Sequence, residues 1–129
     1  MKLSLLLVTV SAIALPMTCV SISSSMAQEV DCANARTQQA MNLCARQGFE
    51  ASDTRLNQTY QQLLSRLRGE PRRLLATAQQ AWVEYRNATC AYKYDGYSAG
   101  TIASTMYSNC LRQVTERRIK DLEDYVQLR

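Results

Sequence analysis

Four cysteines, Cys32, Cys44, Cys90 and Cys110, are spread through the last hundred or so residues, and a fifth, Cys19, stands just behind an apolar leader. An even number of cysteines in a small chain that leaves the cytoplasm implies a disulfide framework. No Cys-x-x-Cys pair occurs, which argues against a zinc site and against a thioredoxin-type redox motif. Four cysteines allow three pairings, and the order of residues does not choose among them. A Cys90–Cys110 bridge would close a tyrosine-rich stretch. A Cys32–Cys44 bridge would fold the N-terminal segment back onto the first helix. Either would stabilise the fold by about 3 kcal/mol through loop entropy, a large share of the ~5–10 kcal/mol expected of so small a domain.

The chain begins Met1-Lys2, and an uncharged apolar run follows over residues 3–15. This run is shorter than the ~20 residues of a permanent membrane span, and Pro16 ends it. Ser25-Met26-Ala27 then offers small residues where a signal peptidase accepts them. The expected division is a signal peptide over 1–27 and one helical domain over 28–129, periplasmic or secreted, with no transmembrane segment in the mature chain. A lipoprotein anchored at Cys19 is the competing reading. Thr18, Met17 and Pro16 suit it poorly, because lipidation signals place a small residue directly before the cysteine.

Removal of Lys2 with the leader lowers the formal net charge from +4 to +3. Charges of both signs are interspersed without a long basic tract, so nucleic acid is not an expected partner. The sequence has no histidine, which removes the commonest general base and metal ligand. It also lacks a glycine-rich phosphate loop, a nucleophile elbow and a metal-spaced cluster. The acidic groups Glu50/Asp53 and Asp121/Glu123/Asp124 sit at helical spacing, where a solvated face explains them better than catalysis. The expectation is a binding protein with no catalytic residues, no cofactor and no metal.

Few breakers and many Gln, Ala, Arg and Leu residues favour helix. Steps of three and four predict a first helix from about 37 to 68, with Met41, Cys44, Phe49, Ser52, Leu56, Tyr60, Leu63 and Leu67 facing inward. Gly48 within it is a candidate kink or close-packing point. Gly69-Glu70-Pro71 makes a turn. A second helix follows from about 71 to 91, with Leu74, Ala78, Ala81, Trp82, Tyr85 and Thr89 inward. Residues 92–100 are the longest irregular stretch, centred on the turn signal Asp95-Gly96. Thr101 can cap a third helix reaching about 127, with Ile102, Met106, Cys110, Val114, Ile119, Leu122 and Val126 inward. The fold class is all-α: three antiparallel helices with a disulfide-pinned N-terminal segment.

Two clusters are candidates for binding. Arg66, Arg68, Arg72 and Arg73 crowd the first turn and suit an anionic envelope polymer or headgroup, although exposed turns are routinely charged. Tyr94, Asp95 and Tyr97, with Tyr92 nearby, suit recognition of a protein or a sugar, since tyrosine combines a flat apolar face with a hydroxyl. The alternative is that one or two of these tyrosines pack beneath the loop. Tyr60, Trp82 and Tyr85 read as packing residues, and Arg86 as a residue that holds the loop.

A family resemblance spans nearly the whole mature chain. Cys32, Thr37, Met41-Asn42, Cys44, Asp53, Leu56-Asn57 and Tyr60 resemble the first half of the lysozyme-inhibitor LprI-like N-terminal domain. Ala78-Gln79, Trp82, Tyr85-Arg86 and Cys90 resemble its centre, and Gly100-Thr101-Ile102, Cys110, Thr115, Arg117 and Leu122 its last part. The resemblance implies a helical exported domain with Cys32–Cys44 and Cys90–Cys110 bridges. It also implies an inhibitor of lysozyme or of a related cell-wall hydrolase, although no inhibitory motif carries over residue by residue. A net charge of +3 would not steer the chain toward a cationic lysozyme, so a local acidic group such as Asp95 would have to serve. The other function consistent with the sequence is an envelope binding module for an anionic glycan, a lipid or a protein.

Overall fold

The computed structural model describes residues 30–97 and 100–127. The expected leader, its cleavage site and Cys19 lie outside the described residues. Three long helices carry the fold: α1 (Gln38–Arg66), α2 (Gly69–Tyr94) and α3 (Ala103–Gln127). Short 3-10 turns occur at Cys32–Asn34 and Asp95–Tyr97. Among the described residues there is no strand.

Each boundary has a local cause. Asp31 starts the first 3-10 turn, its carboxylate accepting from the Ala33 N–H at 3.0 Å and from the Asn34 amide at 2.7 Å. The Asn34 side chain, helped by the Ala33 N–H, holds this carboxyl below the ordinary aspartate range. Thr37 caps α1, its hydroxyl accepting from the Ala40 N–H at 3.1 Å. α1 stops where Leu67 turns extended, and Gly69 then takes φ 61°, a left-handed conformation that costs glycine nothing and lets the chain reverse. Pro71 fits the first turn of α2 because its missing N–H has no helical acceptor there. At α3 the cap differs from expectation. Ile102, not Thr101, accepts the first helical bond, from the Met106 N–H at 3.1 Å, and the helix begins at Ala103.

Side-chain pairs fix the directions. Gln38 reaches Thr105, Ser52 reaches Glu116 and Arg55 reaches Glu123, so α1 and α3 run parallel. Gln79 meets Arg118 and Cys90 meets Cys110, so α2 runs antiparallel to α3, and through Arg86 and Asp53 antiparallel to α1. The result is an up-down-up bundle in which α1 and α3 make the main packing surface. α1 passes through Gly48 without a break. A Cβ there would stand 3.2 Å from Arg112 Cδ, so this glycine serves close packing against α3, not a kink.

The core has two layers. Leu56, Leu63, Leu67, Ile119 and Leu122 form one, lined by Tyr60, Leu75, Trp82 and Val126. Cys90, Cys110, Leu111 and Val114 form the other, lined by Phe49, Trp82, Tyr94 and Tyr107. Trp82 touches both and joins them. Burial of a side chain such as Leu56 or Leu122 contributes about 1.5–3 kcal/mol. Both expected disulfides are present, Cys32–Cys44 and Cys90–Cys110.

The inward face of α2 departs from the expected stripe. Leu74 is 54% exposed and Tyr85 61% exposed, and Ala78 and Ala81 also face solvent. The face that packs is Leu75, Gln79, Trp82, Arg86 and Cys90. Two of those five side chains are polar, so a search for apolar periodicity settles on the neighbouring line. Ile102, also expected inward, is 46% exposed because it precedes the helix.

Arg86 is the reason a polar stripe can be buried. Its side chain is 8% exposed, and Nη1 donates to Asp53 Oδ1 on α1 at 2.6 Å and to Thr115 Oγ1 on α3 at 3.1 Å. Nε donates to Asn87 Oδ1 at 3.2 Å. The guanidinium lies 5.2 Å from the ring centroids of both Phe49 and Trp82. Arg86 therefore ties three helices together and does not hold the loop, and Asp53 is its counter-ion and not part of a solvated face.

Replacing Arg86 by Ala is expected to lower stability by about 3–5 kcal/mol, the loss typical when one partner of a buried ion pair is removed. Asp53→Ala should lower it by a comparable amount, because it leaves the guanidinium, only 8% exposed, without its counter-ion. Urea denaturation followed by circular dichroism measures both, and a neutral Arg86→Ala variant would contradict the account. The two bridges should also differ in reactivity. Cys32 is exposed, whereas Cys90 and Cys110 are 0% and 4% exposed, so a mild reductant should open Cys32–Cys44 first. Timed alkylation with peptide mass mapping reads the order. Loss of Cys90–Cys110 by paired Ser substitution should lower stability by about 2–5 kcal/mol.

Candidate functional site

The two clusters singled out by sequence lie at opposite ends of the bundle. Arg73 and Tyr94 are separated along α2 by about 30 Å at 1.5 Å per helical residue.

At the first end the arginines close helix ends. A helix leaves its last four carbonyls without internal partners. Arg72 donates to the Leu64 carbonyl at 2.5 Å, and Arg68 to the Ser65 and Leu67 carbonyls at 2.6 and 2.8 Å. Arg66 reaches across to the Val126 carbonyl of α3 at 3.4 Å. Arg73 forms a two-point ion pair with Glu70, which holds its guanidinium above the ordinary range. All four arginines are exposed, yet each already has a partner within this turn or the adjoining helix end.

At the second end α2 runs further than the sequence suggests. Tyr92, Lys93 and Tyr94 are helical, and the 3-10 turn Asp95–Tyr97 follows directly. The run Ala91-Tyr92-Lys93-Tyr94 contains no breaker, so the helix persists to the first glycine signal. Tyr94 is half-buried against the layer built on Cys90 and Cys110, so this tyrosine packs beneath the turn. Asp95 is exposed, and Tyr92 is 85% exposed. Residues 98 and 99, and the side chain of Tyr97, lie outside the described residues. The Cys90–Cys110 bridge sits one turn below Asp95 and joins the end of α2 to α3. The backbone of the turn thus rises from a covalently fixed base.

Of the acidic residues singled out by sequence for their helical spacing, Asp121 and Asp124 lie exposed, and the other three are counter-ions. Glu50 pairs with Arg46 at 3.7 Å, Asp53 with Arg86 at 2.6 Å and Glu123 with Arg55 at 2.7 Å. Among the described residues no group of three or more His, Cys, Asp or Glu side chains could hold a metal ion, and no helix is long and apolar enough to cross a membrane. Sequence reasoning missed the Asp53–Arg86–Thr115 network. Its signal was present, since all three residues belong to the set that carries the family resemblance while interrupting apolar periodicity.

Comparison with known proteins fits this architecture. Over 129 aligned residues the chain is 26% identical to an uncharacterized protein of Rhizobium meliloti (strain 1021), an alignment covering 90% of this chain and 93% of that protein. No solved structure matches. Residues 31–122, which contain both disulfides, the Arg86 network and most of the three helices, match the family described as Lysozyme inhibitor LprI, and the chain belongs to that family.

Proposed function

We propose that this protein is an exported, non-catalytic binding protein that inhibits lysozyme or a related cell-wall hydrolase, and that it engages its target with the end of the bundle formed by Tyr94, Asp95 and Tyr97. The observation that carries this reading is the Cys90–Cys110 bridge directly beneath the Asp95–Tyr97 turn. A turn held at its base loses little conformational entropy on binding. Asp95 supplies an exposed carboxylate that can accept hydrogen bonds from donors in a hydrolase cleft. Family membership supports the target class. The two disulfides support an oxidising compartment outside the cytoplasm. Export with cleavage after Ala27 accounts for the leader. An anionic polymer on the arginine tip is less well supported, because those guanidinium groups already serve helix-end carbonyls and Glu70.

A lysis assay with purified protein and lysozyme tests the reading. Because Tyr94 packs in the core, Tyr94→Ala would disturb the fold, and the informative variant is Asp95→Ala with Tyr97→Ala. Loss of anchors at an interface centre is about 2 kcal/mol or more, so inhibition should weaken by roughly thirtyfold or more with unchanged helical circular dichroism. Full inhibition by that variant, together with loss of activity on changing Arg66, Arg68, Arg72 and Arg73 in a variant of normal melting temperature, would move the working surface to the basic tip.

A further inference from the structure

Because α1 and α3 run parallel, their first turns stand side by side, at the end of the bundle that also carries the Asp95–Tyr97 turn. Between them lies a cleft of about 350 Å³ lined by Gln39, Asn42, Leu43, Arg46 and Ser104. Arg46 is the one charged residue of this lining, and no carboxylate belongs to it. Its guanidinium is exposed and meets Glu50 only through Nε at 3.7 Å, longer than a hydrogen bond, so both Nη groups keep their donors for another partner. Asn42 is held in one orientation. Its Oδ1 accepts from Gln38 Nε2 at 2.9 Å and from the Thr105 hydroxyl, which itself accepts from Gln38 at 3.1 Å. With the oxygen engaged twice on the α3 side, the group this amide leaves over is Nδ2, a donor. The Gln39 amide and the Ser104 hydroxyl have no partner among the described residues. A second cleft between the same helices, of about 270 Å³, differs in charge: Arg55 and Lys120 share it with Glu116 and Glu123, so its cations are answered from within.

We propose that the cleft of Arg46 and Asn42 binds one acidic sugar residue, a pyranose that carries a carboxylate. Each part of the lining selects a part of that ligand. The two Nη groups lie in one plane and match the two oxygens of a carboxylate, a bidentate pairing stronger than a hydrogen bond between neutral groups. Asn42 Nδ2 donates to a ring hydroxyl at little cost in side-chain freedom, because its own hydrogen bonds already fix it. Gln39 and Ser104 each donate and accept, as sugar hydroxyls do. Leu43, half-buried among them, offers an apolar surface to the C–H face of the ring. A zwitterionic amino acid fits less well, since no carboxylate of the lining would receive its ammonium group. Size selects a single residue, because about 350 Å³ stands at the low end of small-ligand sites. None of the five lining residues belongs to the surface proposed for inhibition, and the arginine tip is at the far end of the bundle. Variants in the cleft therefore leave both in place.

A heteronuclear NMR titration tests this, using protein expressed from the full chain and purified with both disulfides formed. The probes are glucuronate, glucose as its neutral counterpart and acetate as the bare carboxylate. Glucuronate should shift the amide signals of Gln39, Asn42, Arg46 and Ser104 with a Kd in the millimolar range, and glucose and acetate should each bind about tenfold more weakly or less. Arg46→Gln should weaken glucuronate binding by about tenfold or more and leave the melting temperature nearly unchanged, because this side chain is exposed. Asn42→Asp keeps the oxygen that Gln38 and Thr105 bond and puts a carboxylate oxygen in place of Nδ2. It should abolish binding with helical circular dichroism retained. Glu50→Gln should tighten binding, because it removes the ion-pair partner of Arg46. Methyl glucuronoside separates two sources of the same chemistry: affinity equal to that of the free acid assigns the cleft to the end residue of a polymer, and lost affinity assigns it to a free sugar acid. Acetate that binds as tightly as glucuronate would reduce the cleft to a site for any carboxylate and overturn the proposal. So would the absence of shifts at these residues up to tens of millimolar glucuronate, or an unchanged affinity in Arg46→Gln.

Discussion

A guanidinium placed among three helices determines how this bundle assembles. Desolvating the charge of Arg86 costs several kcal/mol, and the structure offsets this with an ion pair to Asp53, a hydrogen bond to a fully buried threonine, and two aromatic faces. Each compensating group comes from a defined place. Asp53 and Phe49 require α1 at one register, Thr115 requires α3 at another, and Trp82 lies one turn back on α2. A slide of any helix by one turn would leave a buried charge without its partner. Apolar layers alone tolerate such slides, because leucines are interchangeable knobs. The polar knot is not interchangeable, and it thereby selects one register.

The knot matters most for α2. α1 and α3 share a long apolar surface, with Leu56, Leu63, Ile119 and Leu122 almost fully buried between them. α2 contributes little comparable surface, and its inner face mixes Leu75 and Trp82 with Gln79 and Arg86. Three devices hold it: the short turn through Gly69 at one end, the Arg86 network in the middle and the Cys90–Cys110 bridge at the other. Gln79 adds an acceptor for Arg118, whose own guanidinium lies 5.8 Å from the Trp82 ring centroid. A helix secured at a few points along one narrow face keeps most of its circumference outward. The uncharged outer line of Leu74, Tyr85 and Tyr92 is a consequence of that economy of contact.

Much of the fold was legible in the sequence because it rests on strong local signals. Helix spacing, Gly69-Pro71 as a turn and an even set of cysteines each act over a few residues. The apolar stripes of α1 and α3 were legible for the same reason, with Leu56, Leu63, Cys110, Val114, Ile119 and Leu122 all buried as their spacing implied. The face of α2 was not. Its inward positions are set by long-range pairing of Arg86 with Asp53, 33 residues away, and with Thr115, 29 residues away. No local pattern reports such a partner, and the free aliphatic and aromatic side chains beside it form a more regular line. The tyrosine-rich end was legible only as a location. Which tyrosine packs and which stays outside depends on where the disulfide layer ends, and that places Tyr94 within and Tyr92 without.

The residues that carry the family resemblance are mainly those that build this frame. Cys90, Cys110, Leu56, Thr115, Leu122 and Arg86 are buried, and Asp53 and Trp82 are their immediate partners. Asn42 and Thr105 join the N-terminal ends of α1 and α3 through a hydrogen bond that Gln38 also meets. The buried groups among these dictate register, helix ends and disulfide geometry, but none of the buried ones is presented to a partner. Recognition has to come from side chains that the frame leaves outside. Two proteins of this family can therefore share the frame in full while differing at positions such as Asp95, Tyr92 or Tyr85, and their targets would differ accordingly. On the proposed reading the frame's contribution to binding would be indirect but physical: with the end of α2 fixed covalently and its middle electrostatically, an exposed turn would have less motion to give up on contact.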